Sequence, residues 1–233
     1  MGDRTRVEIE GGIAWIALDD GKVNAMSTAM MSEIGAALDE AESAEAVAVL
    51  RGREGIFSAG FDLRTFDRGP EAGLEMVRAG AELILRLLAF PRPVVTVCTG
   101  HAYPMGAFLM LSADVRFGLA GPWRIGMNEV AIGMTIPRFV VELARHRLTP
   151  PGVARITTAA MFAPEEALRL GYLDRVLDAE PLEPAVREEA NRLRALDMKA
   201  FAATKKRVNE RAIQAIRAAV DAEMRSLLGG GSS

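Results

Sequence analysis

Hydrophobic and polar positions alternate from Val7. The Gly11-Gly12 pair then interrupts, and Ile13 to Leu18 is almost wholly apolar. That pattern predicts a hairpin whose second strand is the better buried. Asp19 to Asn24 reads as a loop. Ser27 is an N-cap for a helix from Thr28 to about Ser43, with Met30, Ile34, Leu38 and Ala41 on one face. Ala46 to Leu50 is a strand, Arg51 to Gly55 a turn, and Ile56-Phe57 the start of a short extended piece. Arg68 to Glu75 is polar, contains Gly69, Pro70 and Gly73, and is the candidate mobile lid. Leu74 to Phe90 reads as an amphipathic helix stopped by Pro91 and Pro93.

The β-branched run Pro93 to Cys98 predicts a buried strand, which Gly100 ends. Pro104, Met105 and Gly106 form a turn, and from Ala107 the residues Phe108, Leu111 and Val115 recur at helical spacing. The first N–H groups of a helix lack internal partners and carry the positive end of its dipole. The stretch is therefore either an anion-holding turn or an ordinary tight turn, and spacing leaves both open. Downstream, Trp123 to Ile125 reads as a strand and Pro137 opens a helix from Arg138 to Arg147. Thr149 to Gly152 is a spacer before a helix from Val153 to Ala159. Pro164 starts the helix Glu165 to Leu170, which Gly171 stops, and Tyr172 to Leu177 is extended. Leu182 to Leu228 is charged and helical with breaks near Asp197 and Lys199. The order β-β-α, β-α, β-α and then helices implies an α/β fold with a helical C-terminal subdomain. No sequence repeat of 20–50 residues is visible.

Composition narrows the function classes. The chain has 233 residues, half of them hydrophobic, enough for one large domain or a domain with a helical appendage. Its net charge is −3 with both signs interspersed, so neither a polyanion partner nor nucleic acid is implied. Cys98 is the only cysteine, and the two histidines, His101 and His146, form no cluster, so no disulfide or metal site is expected. No signal pattern and no membrane-length apolar run occur, so a soluble, cytoplasmic protein is expected. The closing residues 229–233 read as a flexible tail.

Two turns of one style, Ala59-Gly-Phe61 and Pro104-Met-Gly106, offer two N–H donors that could converge on an oxyanion. Glu129 sits among Met127, Val130, Ala131 and Ile132. Buried there, its carboxyl would titrate high, which suits proton transfer near neutral pH. The alternative is a Glu129 facing solvent or paired with Arg124.

These residues resemble the crotonase (enoyl-CoA hydratase/isomerase) superfamily. Phe57-Ser-Ala-Gly-Phe-Asp-Leu63 and Thr99-Gly-His-Ala-Tyr-Pro-Met-Gly-Ala-Phe108 are similar to its two signature loops. Lys22-Val-Asn-Ala-Met26 resembles its early coenzyme A motif. Asn128 to Gly133, Ala163 to Ala167, Gly171 to Val176 and Ala203-Thr-Lys-Lys206 also match, in order along most of the chain.

The resemblance implies a crotonase-like spiral of β-β-α units over residues 1–177. It also implies a helical region, 178–228, that helps form homotrimers or hexamers. The implied substrate is an acyl-CoA or enoyl-CoA thioester, with coenzyme A part of the substrate and no covalent cofactor or metal. Its carbonyl oxygen would accept from the N–H groups of Phe61 and Met105, with Glu129 as the catalytic acid–base. Lys22, Val23 and Ala25 would touch the nucleotide part. Ala59, Gly60, Asp62, Leu63, Tyr103, Gly106 and Phe108 would flank the pantetheine and acyl path, and Lys205 would meet the coenzyme A phosphates.

Two departures matter. Phe108 stands where hydratases of the family keep a second glutamate, and of the usual glycine triplet only Gly106 remains. Water addition needs a base for the water and an acid for carbon, and Phe108 is neither. Double-bond isomerisation by a single carboxylate is therefore expected. Hydration, decarboxylation and thioester hydrolysis remain alternatives, with Tyr103 or His101 assisting or merely packing, as does non-catalytic acyl-CoA binding.

Overall fold

The N-terminal alternation folds as a hairpin in the computed structural model, which describes residues 4–229. Strands β1 (Thr5–Glu10) and β2 (Ile13–Leu18) pair antiparallel, and β2 is the buried member. Ser27 caps α1 (Thr28–Ser43) by accepting from the Met30 amide, and Met30, Ile34, Leu38 and Ala41 form its buried face. Next come β3 (Val47–Arg51), β4 (Gly55–Ser58), a 3-10 turn over Leu63–Arg68 and α2 (Pro70–Ala89). Strands β5 (Val94–Cys98) and β6 (Gly100–Ala102) lead into α3 (Pro104–Ser112), then β7 (Val115–Leu119) and β8 (Ile125–Gly126). After a 3-10 turn at Glu129–Ile132 follow α4 (Arg138–Arg147), α5 (Pro150–Arg155), β9 (Met161–Phe162), α6 (Pro164–Leu170) and β10 (Arg175–Leu177). Helices α7 (Ala179–Arg194) and α8 (Met198–Gly229) close the chain, and residues 230–233 of the expected tail lie outside the described residues.

The strands form two sheets, ordered β1-β2-β3-β5-β7-β10 and β4-β6-β8-β9. Successive passes of the chain add one strand to each: β3 and β4, then β5 and β6, then β7 and β8, each parallel to its predecessor. This is the crotonase-type spiral. The large sheet is apolar on both faces, as a parallel sheet covered on both sides must be. Ala48, Leu50 and Val94 face the core that α1, α2 and α3 complete. Val47, Val49, Val95, Val97 and Phe117 face Leu182, Val186 and Leu193 of α7. Each large side chain so buried contributes on the order of 1.5–3 kcal/mol. Helix α8 packs along α2 and α4. Among the described residues no helix is long and apolar enough to cross a membrane.

Several boundaries depart from the sequence reading, each for a local reason. Arg68 to Glu75 is no loop: α2 begins at Pro70, because proline at the first helical position loses no hydrogen bond. Gly73 then makes room for the Phe66 ring, 2.6 Å from where a Cβ would sit. Pro104 does the same for α3, so Pro104-Met-Gly106 is the first helical turn rather than a turn before a helix. Gly100 does not end extended structure. It starts β6 and lets the backbone press on Gly55, whose carbonyl carbon lies 1.9 Å from the site of a Cβ. Val115 belongs to β7, not to a helix: Asp114 accepts from the Val94 amide at 2.8 Å and turns the chain alongside β5. Thr149 caps α5, so that helix starts three residues early, and a 3-10 turn at Ile156–Thr158 replaces its second half. The expected strand at Trp123 shrinks to Ile125–Gly126.

Candidate active site

Three strands of the small sheet end at one level. Ser58 of β4 is in register with Ala102 of β6, and Ala102 with Ile125 of β8. Phe61 and Met105 follow three residues beyond that level, and Glu129 four. Adjacent strands lie about 4.8 Å apart, so all three groups follow from neighbouring strand ends at the carboxyl edge of one sheet. Ligands of parallel α/β sheets bind at that edge.

The two turns are stitched together by the backbone. The Tyr103 amide donates to the Ser58 carbonyl at 2.9 Å and the Ala102 amide to the Arg124 carbonyl at 2.9 Å. Gly60 has φ +88°, which few other residues tolerate, and a Cβ there would sit 3.6 Å from the Met105 nitrogen. Phe61 bridges Met26, yet the hydrogen bonds of that bridge use the amides of Met26 and Asp62. Its own N–H has no acceptor among the described residues. Met105, second in α3, has an amide that is equally free, as expected where no preceding turn supplies a carbonyl. The Phe61 ring and the Met105 thioether both rest against Gly80 of α2, 2.7 and 3.2 Å from the site of a Cβ.

Glu129 is buried, and neither carboxyl oxygen has a hydrogen-bond partner among the described residues. Burial pushes its carboxyl up to about 7, while its own amide pulls the other way. Arg124 is not its partner, since that guanidinium donates to the Trp123 carbonyl. His101 accepts from the Arg124 amide through Nδ1 and lies within β6 rather than in a turn. No group of three or more histidine, cysteine, aspartate or glutamate side chains that could hold a metal occurs among the described residues.

A free pair of amides and an uncompensated buried carboxylate suit a reaction that builds charge on a carbonyl oxygen. The family model described as enoyl-CoA hydratase/isomerase matches residues 8–228. The chain belongs to the enoyl-CoA hydratase/isomerase family. A solved enoyl-CoA hydratase/isomerase family protein of Pseudomonas syringae is 39% identical with TM-score 0.94, over 97% of this chain and 98% of that one. An apo structure of a Mycobacterium tuberculosis protein, named an enoyl-CoA isomerase there and a probable enoyl-CoA hydratase in a second structure, is 38% identical with TM-score 0.91, over 98% and 99%. The human peroxisomal bifunctional enzyme is 32% identical over 80% of this chain, which spans 25% of that protein's length. Proteins named as hydratases match as well.

Lys22, Val23 and Ala25, expected to touch the nucleotide part, lie on a well-held loop. Asp20 accepts from the amides of Lys22, Asn24 and Ala25, and Val23 is half exposed. The Val23 carbonyl accepts from the Ala59 amide at 2.9 Å, so this loop adjoins the Ala59-Gly-Phe61 turn. Asp62 caps the 3-10 turn and pairs with Arg64, while Leu63 stands half exposed beside it. Tyr103 precedes α3, Gly106 lies against Ser58, and Phe108 is fully buried in the core.

Lys205 is a correction. Its ammonium is buried in a 2.6 Å ion pair with Asp114, which also holds the Val94 amide. In this chain it is not free to meet a phosphate. Lys205→Ala should cost about 3 kcal/mol in urea unfolding, because Asp114 is left buried and uncompensated. Lys205→Met combined with Asp114→Asn should recover most of it.

Sequence reasoning missed Asn24, Ser58 and Gly80. Buried Asn24 donates to the carbonyls of Leu18 and Phe57, and Ser58 Oγ donates to the Asn24 carbonyl while accepting from the Gly60 amide. The available signal was a pair of small polar residues inside otherwise apolar motifs.

Proposed function

We propose that the chain moves the carbon–carbon double bond of an enoyl-CoA thioester, with Glu129 as the only proton carrier. The Glu129 carboxylate takes a proton from C2 of a 3-enoyl-CoA. The C–H electron pair moves toward C1, and the carbonyl pair shifts onto oxygen, where the Phe61 and Met105 amides hold it. Glu129 returns the proton at C4 and the electrons flow back, leaving the double bond between C2 and C3. No water, electron or net proton is consumed, so no cofactor is required beyond the coenzyme A of the substrate.

The observation that carries this reading is Glu129 itself, buried, unpartnered and level with two free amides. An ordinary carboxyl group would be too weak a base to abstract such a proton, whereas one near 7 is poised at neutral pH. Phe108, apolar and sealed in the core, supplies no second acid–base group. Val130 and Ile132, half exposed beside Glu129, offer an apolar wall to an acyl chain.

The test compares two substrates with the wild-type protein. A 3-enoyl-CoA should be converted to the 2-enoyl isomer, and crotonyl-CoA should be hydrated at least about a hundredfold more slowly. Comparable rates of hydration and isomerisation would reject the single-carboxylate reading.

A further inference from the structure

Gly80 lies in the middle of α2 and is buried. Its backbone is ordinary helix, not the left-handed geometry that calls for glycine. Glycine is the poorest helix former after proline, so space rather than backbone has to explain its presence there. A Cβ at Gly80 would lie 2.7 Å from Phe61 Cζ, 2.9 Å from Phe61 Cε1 and 3.2 Å from Met105 Sδ. One bare patch of helix therefore seats a side chain from each of the two turns. Gly73, two helical turns earlier, does the same for the Phe66 ring alone, at 2.6 Å.

Among the described residues no hydrogen bond joins α2 to Phe61 or to Met105, so packing alone sets their distance from the helix. The two turns also meet each other, since a Cβ on Gly60 would stand 3.6 Å from the Met105 nitrogen. A push on either side chain is thus passed to the pair.

We propose that Gly80 is a positioning residue for the amide pair: because it has no side chain, the Phe61 ring and the Met105 thioether sit against one point of α2, and this common seat fixes the separation of their N–H groups. The inference rests on the proposed role of those amides in holding a thioester oxygen. A methyl at Gly80 meets both residues at once, so relief comes from moving the residues that carry the donors. The same methyl at Gly73 displaces Phe66, which carries no donor of the site.

The test uses butyryl-CoA labelled with ¹³C at the thioester carbonyl, read by infrared difference spectra of its complex with the protein. An oxygen that accepts hydrogen bonds loosens its C=O bond, so in the wild type the bound band should fall below that of free butyryl-CoA. In Gly80→Ala the band should return most of the way to the free position, and in Gly73→Ala it should stay at the wild-type position. For a 3-enoyl-CoA, kcat should fall roughly 10–10²-fold in Gly80→Ala with KM little changed, and less than about twofold in Gly73→Ala. A wild-type band in Gly80→Ala, or equal displacement in the two variants, would overturn the proposal, because a general loosening of α2 acts through either glycine.

Phe61→Leu supplies the rescue. It removes Cε1 and Cζ, the atoms nearest the added methyl, and keeps the amide. In that background Gly80→Ala should lower kcat less than about twofold and leave the band where Phe61→Leu alone puts it. A loss as large as with Phe61 present would overturn the proposal. If Gly80→Ala does not fold alone, the double variant carries the test, and its failure to fold as well would also overturn the proposal by placing the strain outside Phe61. A wild-type band unmoved from that of free butyryl-CoA would sink the role of the amides and this inference with it. A shifted band without isomerisation would sink the double-bond reading alone, and a shifted band that ignores Gly80→Ala would sink this inference alone.

Discussion

Glu129→Gln should lower kcat for a 3-enoyl-CoA by roughly 10⁴-fold, the upper end for a single acid–base group, because one side chain performs both proton transfers. That is about 5 kcal/mol of barrier. The thioester should still bind, since glutamine has nearly the same shape and the oxyanion amides are untouched. Stability should move the other way, because the wild-type carboxyl is raised from 4.5 to about 7 by burial. Between those values the folded chain holds a proton that the unfolded chain has released. The carboxyl's contribution to stability is therefore complete below 4.5 and lost as pH rises through 7. The full loss is on the order of 3 kcal/mol. Glutamine has no such dependence, so the stability of the variant relative to wild type should improve from pH 4.5 to pH 8. Denaturant curves at the two ends check this. A gap independent of pH would mean that Glu129 is not buried as a neutral acid.

Local chemistry was the part most easily read from the chain. Ser27 as a cap, Pro137 ahead of α4, and Pro164 and Gly171 at the two ends of α6 each act within a turn of their own position. Apart from β7, whose first residue Val115 continues a helical spacing, the strands that were missed or misread are those with little sequence of their own. Strands β8 and β9 have two residues each, and β6 has three. No periodicity exists in two residues, and their conformation is imposed by neighbours already in place. The spiral was invisible for a related reason. The starts of β3 and β5 are 47 residues apart, but those of β5 and β7 only 21, because both α2 and the stretch 52–69 ahead of it are longer than α3 and the stretch 99–103. Equal turns in space thus have unequal lengths in sequence. Of the candidate site, the motif residues were legible, while Gly80 was not. It matters through what lies across a gap, the Phe61 ring and the Met105 thioether. Lys205 misled because a lysine in a matching motif says nothing of Asp114 waiting beneath it.

The oxyanion amides can be tested by deleting one N–H and leaving the fold in place. Met105 is the second residue of α3, where the amide has no helical acceptor to lose. Proline is therefore tolerated there, and the chain itself opens α5 with Pro150-Pro151 in the same two positions. Met105→Pro removes the donor but also the thioether that rests on Gly80. Met105→Ala removes the thioether alone and is the necessary control. If the amide stabilises the enolate oxygen, Met105→Pro should lower kcat roughly 10²–10³-fold below Met105→Ala, or about 3–4 kcal/mol of transition-state stabilisation. KM should differ little between the two, because the uncharged thioester oxygen of the ground state needs the donor far less than the enolate does. Equal kcat values for the two variants would place the developing charge elsewhere, and would leave Phe61 and Glu129 without the partner their shared sheet edge implies.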